Sequence, residues 1–206
     1  MKKIVLFLHG YGSNGSDLIS LKDYFHLNQS ETEFISPNAP EPCEFNFFGY
    51  QWFALSERSV EEIQAGLKSA FFYLDEIVKD IKKKFQINSD QISILGFSQG
   101  SMLATYYALQ NADTFQNIFS LSGSLPKKIL EKIELKKNNT KYLIFHGKID
   151  DVVSPNQAIE THNFLSDQKI KSQLIMDDNC GHSISPLAIE AINNQFKNWI
   201  YLSVLL

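Results

Sequence analysis

The chain has 206 residues, 19 Lys and Arg against 23 Asp and Glu, and a net charge of −4. A hydrophobic share of 44% with 20% charged residues belongs to a chain that buries its own core, which excludes disorder. The acidic balance excludes the basic footprint of a nucleic-acid binder, and Cys43 and Cys180 are too few for a disulfide scaffold.

The first apolar run, Ile4–Leu8, follows Met1-Lys2-Lys3 and ends at His9-Gly10. Five residues are too short for a signal-peptide core, so the run reads as a buried strand. Further strands are predicted at Phe34–Ser36, Ile92–Leu95, Ile118–Leu121, Tyr142–Phe145 and Gln173–Met176. Most are continuous apolar runs, the pattern of a parallel sheet covered on both faces. Pro37, Pro40 and Pro42 open a long loop over residues 38–58, which also holds Phe45, Phe47, Phe48, Tyr50, Trp52 and Phe53.

Helices fill the gaps between strands. Ser59-x-x-Glu62 reads as a capping box opening an amphipathic helix that runs to Phe85, with Lys82-Lys83-Lys84 at its negative end. A second helix should follow Ser98 to about Leu109, and a third should run from Pro155 to Leu165. Ser185-Pro186 starts the last one, to about Trp199. No apolar stretch approaches the ~20 residues that span a bilayer. With so few cysteines, a cytoplasmic setting is expected.

Gly96-Phe97-Ser98-Gln99-Gly100 joins a predicted strand to a predicted helix, the context G-x-S-x-G requires. A sharp turn there lifts the Ser98 hydroxyl above the sheet, and small residues two positions either side let strand and helix approach. The Gln99 N–H then faces a developing oxyanion. A second donor is expected from Leu8-His9-Gly10-Tyr11-Gly12, most simply the Tyr11 N–H, while His9 reads as a structural hydrogen-bonding residue. A serine nucleophile needs a base and a group that orients it. His146, His162 and His182 lie downstream. His182 follows the last strand, and Asp150 and Asp151 follow the one before, at the carboxyl ends where open sheets carry their sites. The predicted triad is therefore Ser98, His182 and either Asp150 or Asp151.

The motifs Leu8-His9-Gly10-Tyr11-Gly12, Gly96-Phe97-Ser98-Gln99-Gly100, His146-Gly147-x-x-Asp150 and Gly181-His182 together resemble the phospholipase/carboxylesterase family. This is a branch of the small α/β-hydrolases that includes the acyl-protein thioesterases. The resemblance spans Leu8 to His182. It implies an α/β fold with sheet order 2-1-3-4-5-6 and no separate cap domain. It maps the acid to Asp150, although Asp151 stands where many members have proline. Gly49-Tyr50-Gln51-Trp52-Phe53 is similar to a segment near the site in the bacterial esterase branch. In the aromatic loop Trp52 and Phe53 are candidates for the wall of the substrate pocket or for core under the loop, and the other aromatics read as core.

The expectation is a single α/β-hydrolase domain over residues 1–206 that cleaves carboxylic esters or thioesters, with no cofactor and no metal. Its substrate would be a small or lipid-like acyl compound, or an acylated protein. Two other readings compete. Gly10-x-Gly12-x-x-Gly15 after a strand suggests a dinucleotide cradle, but no acidic residue ends the second strand. A hydrolase fold that only binds is the other. Asp177, Cys180 and His182 lack a fourth ligand for a metal. The apolar tail Tyr201–Leu206 is a candidate for docking on the sheet, for a homodimer contact or for touching a membrane.

Overall fold

The computed structural model describes residues 2–202, without the side chains of 198–202. In chain order the elements are β1 (Lys3–Leu8), α1 (Gly15–Ile19), β2 (Thr32–Ile35), β3 (Glu41–Pro42), β4 (Tyr50–Gln51) and α2 (Val60–Phe85). Then come β5 (Ile92–Phe97), α3 (Gln99–Gln110), β6 (Asn117–Leu121), α4 (Lys127–Leu130), β7 (Lys141–Gly147), α5 (Pro155–Asp167), β8 (Ser172–Asp177) and α6 (Pro186–Leu202). The side chains of the tail Tyr201–Leu206, a candidate contact in the sequence, lie outside the described residues.

Six strands form one sheet in the order β2-β1-β5-β6-β7-β8, every pair parallel. Setting aside the two-residue strands β3 and β4, this is the order 2-1-3-4-5-6 of the α/β-hydrolase fold. Strand side chains alternate between two cores. Ile4, Leu6 and Leu8 of β1 point into one, with Leu67, Leu74 and Val78 of α2 and Leu103 and Tyr107 of α3. Val5 and Phe7 point into the other, with Leu18 of α1 and Ala188, Ile192 and Phe196 of α6. Both faces being covered explains why β1 is apolar from Ile4 to Leu8 and buried at all six positions.

Three local expectations change. The second strand, Thr32–Ile35, begins two residues and ends one residue earlier than predicted. The loop over 38–58 contains an antiparallel pair, Glu41 opposite Gln51 and Pro42 opposite Tyr50, too short for a sequence period to reveal. Its turn leaves Phe45, Phe47 and Phe48 exposed rather than in the core. The capping box is only half formed. Ser59 Oγ accepts from the Glu62 N–H at 3.1 Å. The Glu62 carboxylate reaches past Ser59, accepting from the N–H groups of Ser56, Glu57 and Arg58 and from Ser56 Oγ.

Candidate active site

Ser98 lies between β5 and α3 with φ 52° and ψ −116°, a left-handed conformation that costs a non-glycine residue on the order of 1–3 kcal/mol. Its surroundings hold it there. The Ser98 N–H donates to the Leu121 carbonyl at 2.9 Å, and its carbonyl accepts from the N–H groups of Ser101 and Met102. A Cβ on Gly96 would overlap the Gly100 carbonyl, one on Gly100 the Leu8 carbonyl, and one on Gly123 the Ser98 carbonyl. The two motif glycines therefore serve the close approach that the sequence pattern suggested. Gly123 is a third such contact, and Ser122 before it is also left-handed, at φ 49°.

The three predicted side chains meet there. His182 Nε2 is 2.9 Å from Ser98 Oγ, and His182 Nδ1 is 2.9 Å from Asp150 Oδ2. The Phe97 ring packs 5.1 Å from the His182 ring, centroid to centroid. Asp150 is buried, and its Oδ1 accepts from the N–H groups of Val152 and Val153, both at 2.9 Å. Burial alone would push this carboxyl up. The Val153, His182 and Val152 donors together outweigh it and hold the carboxyl below the usual carboxylate range. Asp151, the alternative acid, is exposed at the surface.

A fourth residue joins this chain of bonds. His146, fully buried at the end of β7, has Nε2 3.1 Å from Asp150 Oδ2 and 2.9 Å from the Val153 carbonyl. Both atoms facing Nε2 are acceptors, so Nε2 carries a hydrogen and helps to fix the Asp150 carboxylate. Gly147 beside it is obligatory, because a Cβ would overlap the Cys180 carbonyl of the loop that carries His182. The sequence showed His146 as part of a motif and gave no sign of this contact.

The Tyr11 and Gln99 N–H groups make no hydrogen bond to protein among the described residues, whereas those of Gly12 and Ser13 are satisfied. Gly10 lies against Ser98, where a Cβ would stand 3.3 Å from Ser98 Cβ. Strand β4 pins the loop from the other side. Gly12, at φ 75°, donates to the Tyr50 carbonyl at 2.9 Å, and Tyr50 donates to the Ser13 carbonyl at 2.8 Å. A dinucleotide cradle does not fit this loop, since the Gly12 N–H is taken by protein and α1 is only five residues long. His9 is structural, its Nδ1 2.8 Å from the Gly10 carbonyl and its Nε2 accepting from the Ala39 N–H at 3.0 Å.

Trp52 and Phe53 are not in the wall of the pocket. They are 1% and 3% exposed and stand behind it. The Trp52 indole N–H donates to the His9 carbonyl, and the Trp52 N–H and Phe53 carbonyl clasp the Gln99 side chain amide at 2.9 and 2.7 Å. Large flat rings do bury apolar area, but here that area seals the core and props the two N–H donors. Two open lobes meet at Tyr11, Ser98 and His182. One, of about 410 Å³, is walled by Leu55, Ile63, Met102, Pro126, Val152 and Val153, with Arg58 and Gln157. The other, of about 370 Å³, mixes Ser13, Asp17, Ser20 and Ser183 with Leu18, Leu21, Phe97 and Ile184.

The family model for phospholipase/carboxylesterase matches residues 1–200. The chain belongs to this family. It is a hydrolase of ester bonds, as its relatives are. Acyl-protein thioesterase 1 of Kluyveromyces lactis is 30% identical over 195 residues, covering 83% of this chain and 82% of the relative. Acyl-protein thioesterase 1 of Saccharomyces cerevisiae is 29% identical, covering 81% and 78%. Among solved structures, that of esterase PE8 superposes with a TM-score of 0.88 at 31% identity, over 96% of this chain and 92% of the other. The Arabidopsis thaliana SOBER1 structure, at 22% identity and TM-score 0.77 over 96% of this chain and 99% of the other, shares the fold. Among the described residues no helix of this family member is long and apolar enough to cross a membrane.

Proposed function

We propose that this family member cleaves carboxylic esters and thioesters through an acyl-enzyme formed on Ser98. The observation that carries the reading is the unbroken line from Ser98 Oγ through His182 to Asp150, two 2.9 Å contacts ending on a serine in a left-handed turn. His182 Nε2 removes the Ser98 proton as Oγ attacks the acyl carbon. Asp150 holds the Nδ1–H tautomer and stabilises the imidazolium. The Tyr11 and Gln99 N–H groups receive the oxyanion, a role worth roughly 3 kcal/mol of barrier per donor. His182 then gives its proton to the departing alkoxide or thiolate. Water repeats the sequence on the acyl-enzyme and restores Ser98.

The six apolar residues around the larger lobe suit an acyl chain, and the second lobe, of mixed polar and apolar lining, leaves room for a leaving group. The acyl-protein thioesterase relatives make an acylated protein or a lipid-like ester the natural substrate classes, and a cytoplasmic setting fits both. The test is labelling with a fluorophosphonate. The intact protein should be labelled and Ser98→Ala should not. Undiminished labelling of the variant refutes the reading.

A further inference from the structure

Arg58 is the only arginine of the chain, and it belongs to the wall of the larger lobe beside the nucleophile. Its placement is built. The backbone of Arg58 is left-handed, at φ 53°, in a turn that departs from the start of α2. That turn is held by Glu62, whose carboxylate accepts from the N–H groups of Ser56, Glu57 and Arg58 and from the Ser56 hydroxyl, at 2.7–3.2 Å. These donors hold the Glu62 carboxyl below its ordinary range, with the Ser56 hydroxyl the largest cause. The Glu62 carboxylate, four residues on, is thus spent on backbone, not on the guanidinium. Among the described residues Arg58 has no ion pair. Its side chain is exposed, so a ligand can reach it.

The charge of the lobe's wall is one-sided. The lobe's wall contains no Asp or Glu, and Gln157 adds a further hydrogen-bond donor. In a protein of net charge −4, this cleft presents a lone cation next to apolar surface. The guanidinium also lies close enough to Tyr11 to act on its phenol. Burial pushes that phenol up, the neighbouring Cys43 thiol and the Glu44 carboxylate add to the effect, and the Arg58 charge opposes them. Tyr11 supplies one of the free N–H groups, and Arg58, Tyr11, Ser98 and His182 line the same lobe, so the cation stands within substrate reach of the reacting carbonyl. An unpaired, pre-positioned guanidinium is a fork for carboxylate or phosphate oxygens. A left-handed arginine in a turn that four bonds tie to one carboxylate is strain retained at a site.

Resting on the hydrolase reading above, we propose that the preferred substrates are esters or thioesters carrying an anionic group, a carboxylate or phosphate, on the part that lies in the Arg58 lobe. The apolar residues hold the intervening chain, and Arg58 holds its charged end.

The test uses matched substrate pairs with the full chain. p-Nitrophenyl hydrogen glutarate against p-nitrophenyl valerate places the anion on the acyl side. The butyryl ester of 4-hydroxyphenylacetate against that of its methyl ester places it on the leaving group. The readout is the ratio of kcat/KM, anionic over neutral, at low ionic strength. In at least one pair that ratio should fall about fivefold to tenfold in Arg58→Gln, the range for a charge-assisted contact at a solvent-reached site. Arg58→Lys should retain part of the preference. Added salt should compress the ratio in the unaltered protein and not in Arg58→Gln. All three side chains share the same cost at φ 53°, so a change in fold does not mimic the result. The pair that responds says whether the acyl or the leaving group bears the charge. Equal ratios in the protein and Arg58→Gln for both pairs, with the neutral esters turned over, overturn the inference and leave the hydrolase reading standing. Failure to cleave any of the four overturns both.

Discussion

Replacing Asp150 by asparagine tests the bond network at its most demanding point. The carboxylate accepts four N–H groups, from Val152 and Val153 on Oδ1 and from His182 and His146 on Oδ2. Asparagine offers one oxygen and two hydrogens. With its oxygen toward Val152 and Val153, its amide hydrogens face two donors. His146 keeps the Val153 carbonyl and loses half of its pairing. His182 must turn its Nδ1 into an acceptor, which moves the hydrogen to Nε2 and aims it at Ser98 Oγ. The lone pair that takes the serine proton is then gone. Turning the amide over only moves the clash to the two backbone donors. The loss expected from a wrong tautomer is about 10⁴ in kcat, or roughly 5.5 kcal/mol of barrier. Asp151→Asn, at an exposed carboxylate, should stay within about twofold. Steady-state hydrolysis of p-nitrophenyl butyrate, with thermal unfolding followed in parallel, measures both. If Asp150→Asn keeps more than a tenth of the activity while folded, the tautomer argument fails. If Asp151→Asn is the inactive one, the acid has been misassigned.

Two further outcomes follow from burial and hydrogen bonding. Trp52→Ala should cost about 3–5 kcal/mol of stability, the penalty for emptying a buried aromatic site, and leave the acyl-chain preference unchanged. Met102→Trp, in the wall of the larger lobe, should shift preference toward short acyl esters, and a chain-length series that moves with Trp52 instead refutes this placement. His9 must be neutral, because Nε2 accepts from the Ala39 N–H and Nδ1 donates to the Gly10 carbonyl. Burial holds its pKa below the ordinary value, so the unfolded chain takes up the proton first, and the stability His9 contributes is present above pH ~6.5 and lost as the pH falls through the folded pKa. The drop in Tm between pH 7.5 and 5.5 should therefore be smaller in His9→Asn than in the unaltered protein, and an equal drop in both refutes it.

What the sequence made legible was whatever has a local cause. Continuous apolar runs marked the parallel strands because both sheet faces are covered, and G-x-S-x-G marked the elbow because two close backbone approaches forbid a Cβ at Gly96 and Gly100. The order of Ser98, the acids and His182 along the chain followed from strand ends lying on one side of the sheet. What stayed hidden depends on contacts between distant segments. The β3–β4 pair is two residues long on each side, so no alternation announces it. Trp52 and Phe53 stayed open between pocket wall and core because an aromatic cluster near a site fits a pocket lining and a core equally well. Their fate is decided by Gln99, 47 and 46 residues away, whose amide fixes the Trp52 N–H and the Phe53 carbonyl. That bond joins the residue supplying one free N–H to the loop that braces the other, through the Trp52 indole on the His9 carbonyl and through Tyr50 on Gly12 and Ser13. The aromatic loop therefore acts on the reaction by setting the spacing of two backbone donors. On the proposed mechanism, contact with substrate falls to the residues it leaves at the cleft, Leu55 and Arg58, where the chain turns out of the core to begin α2.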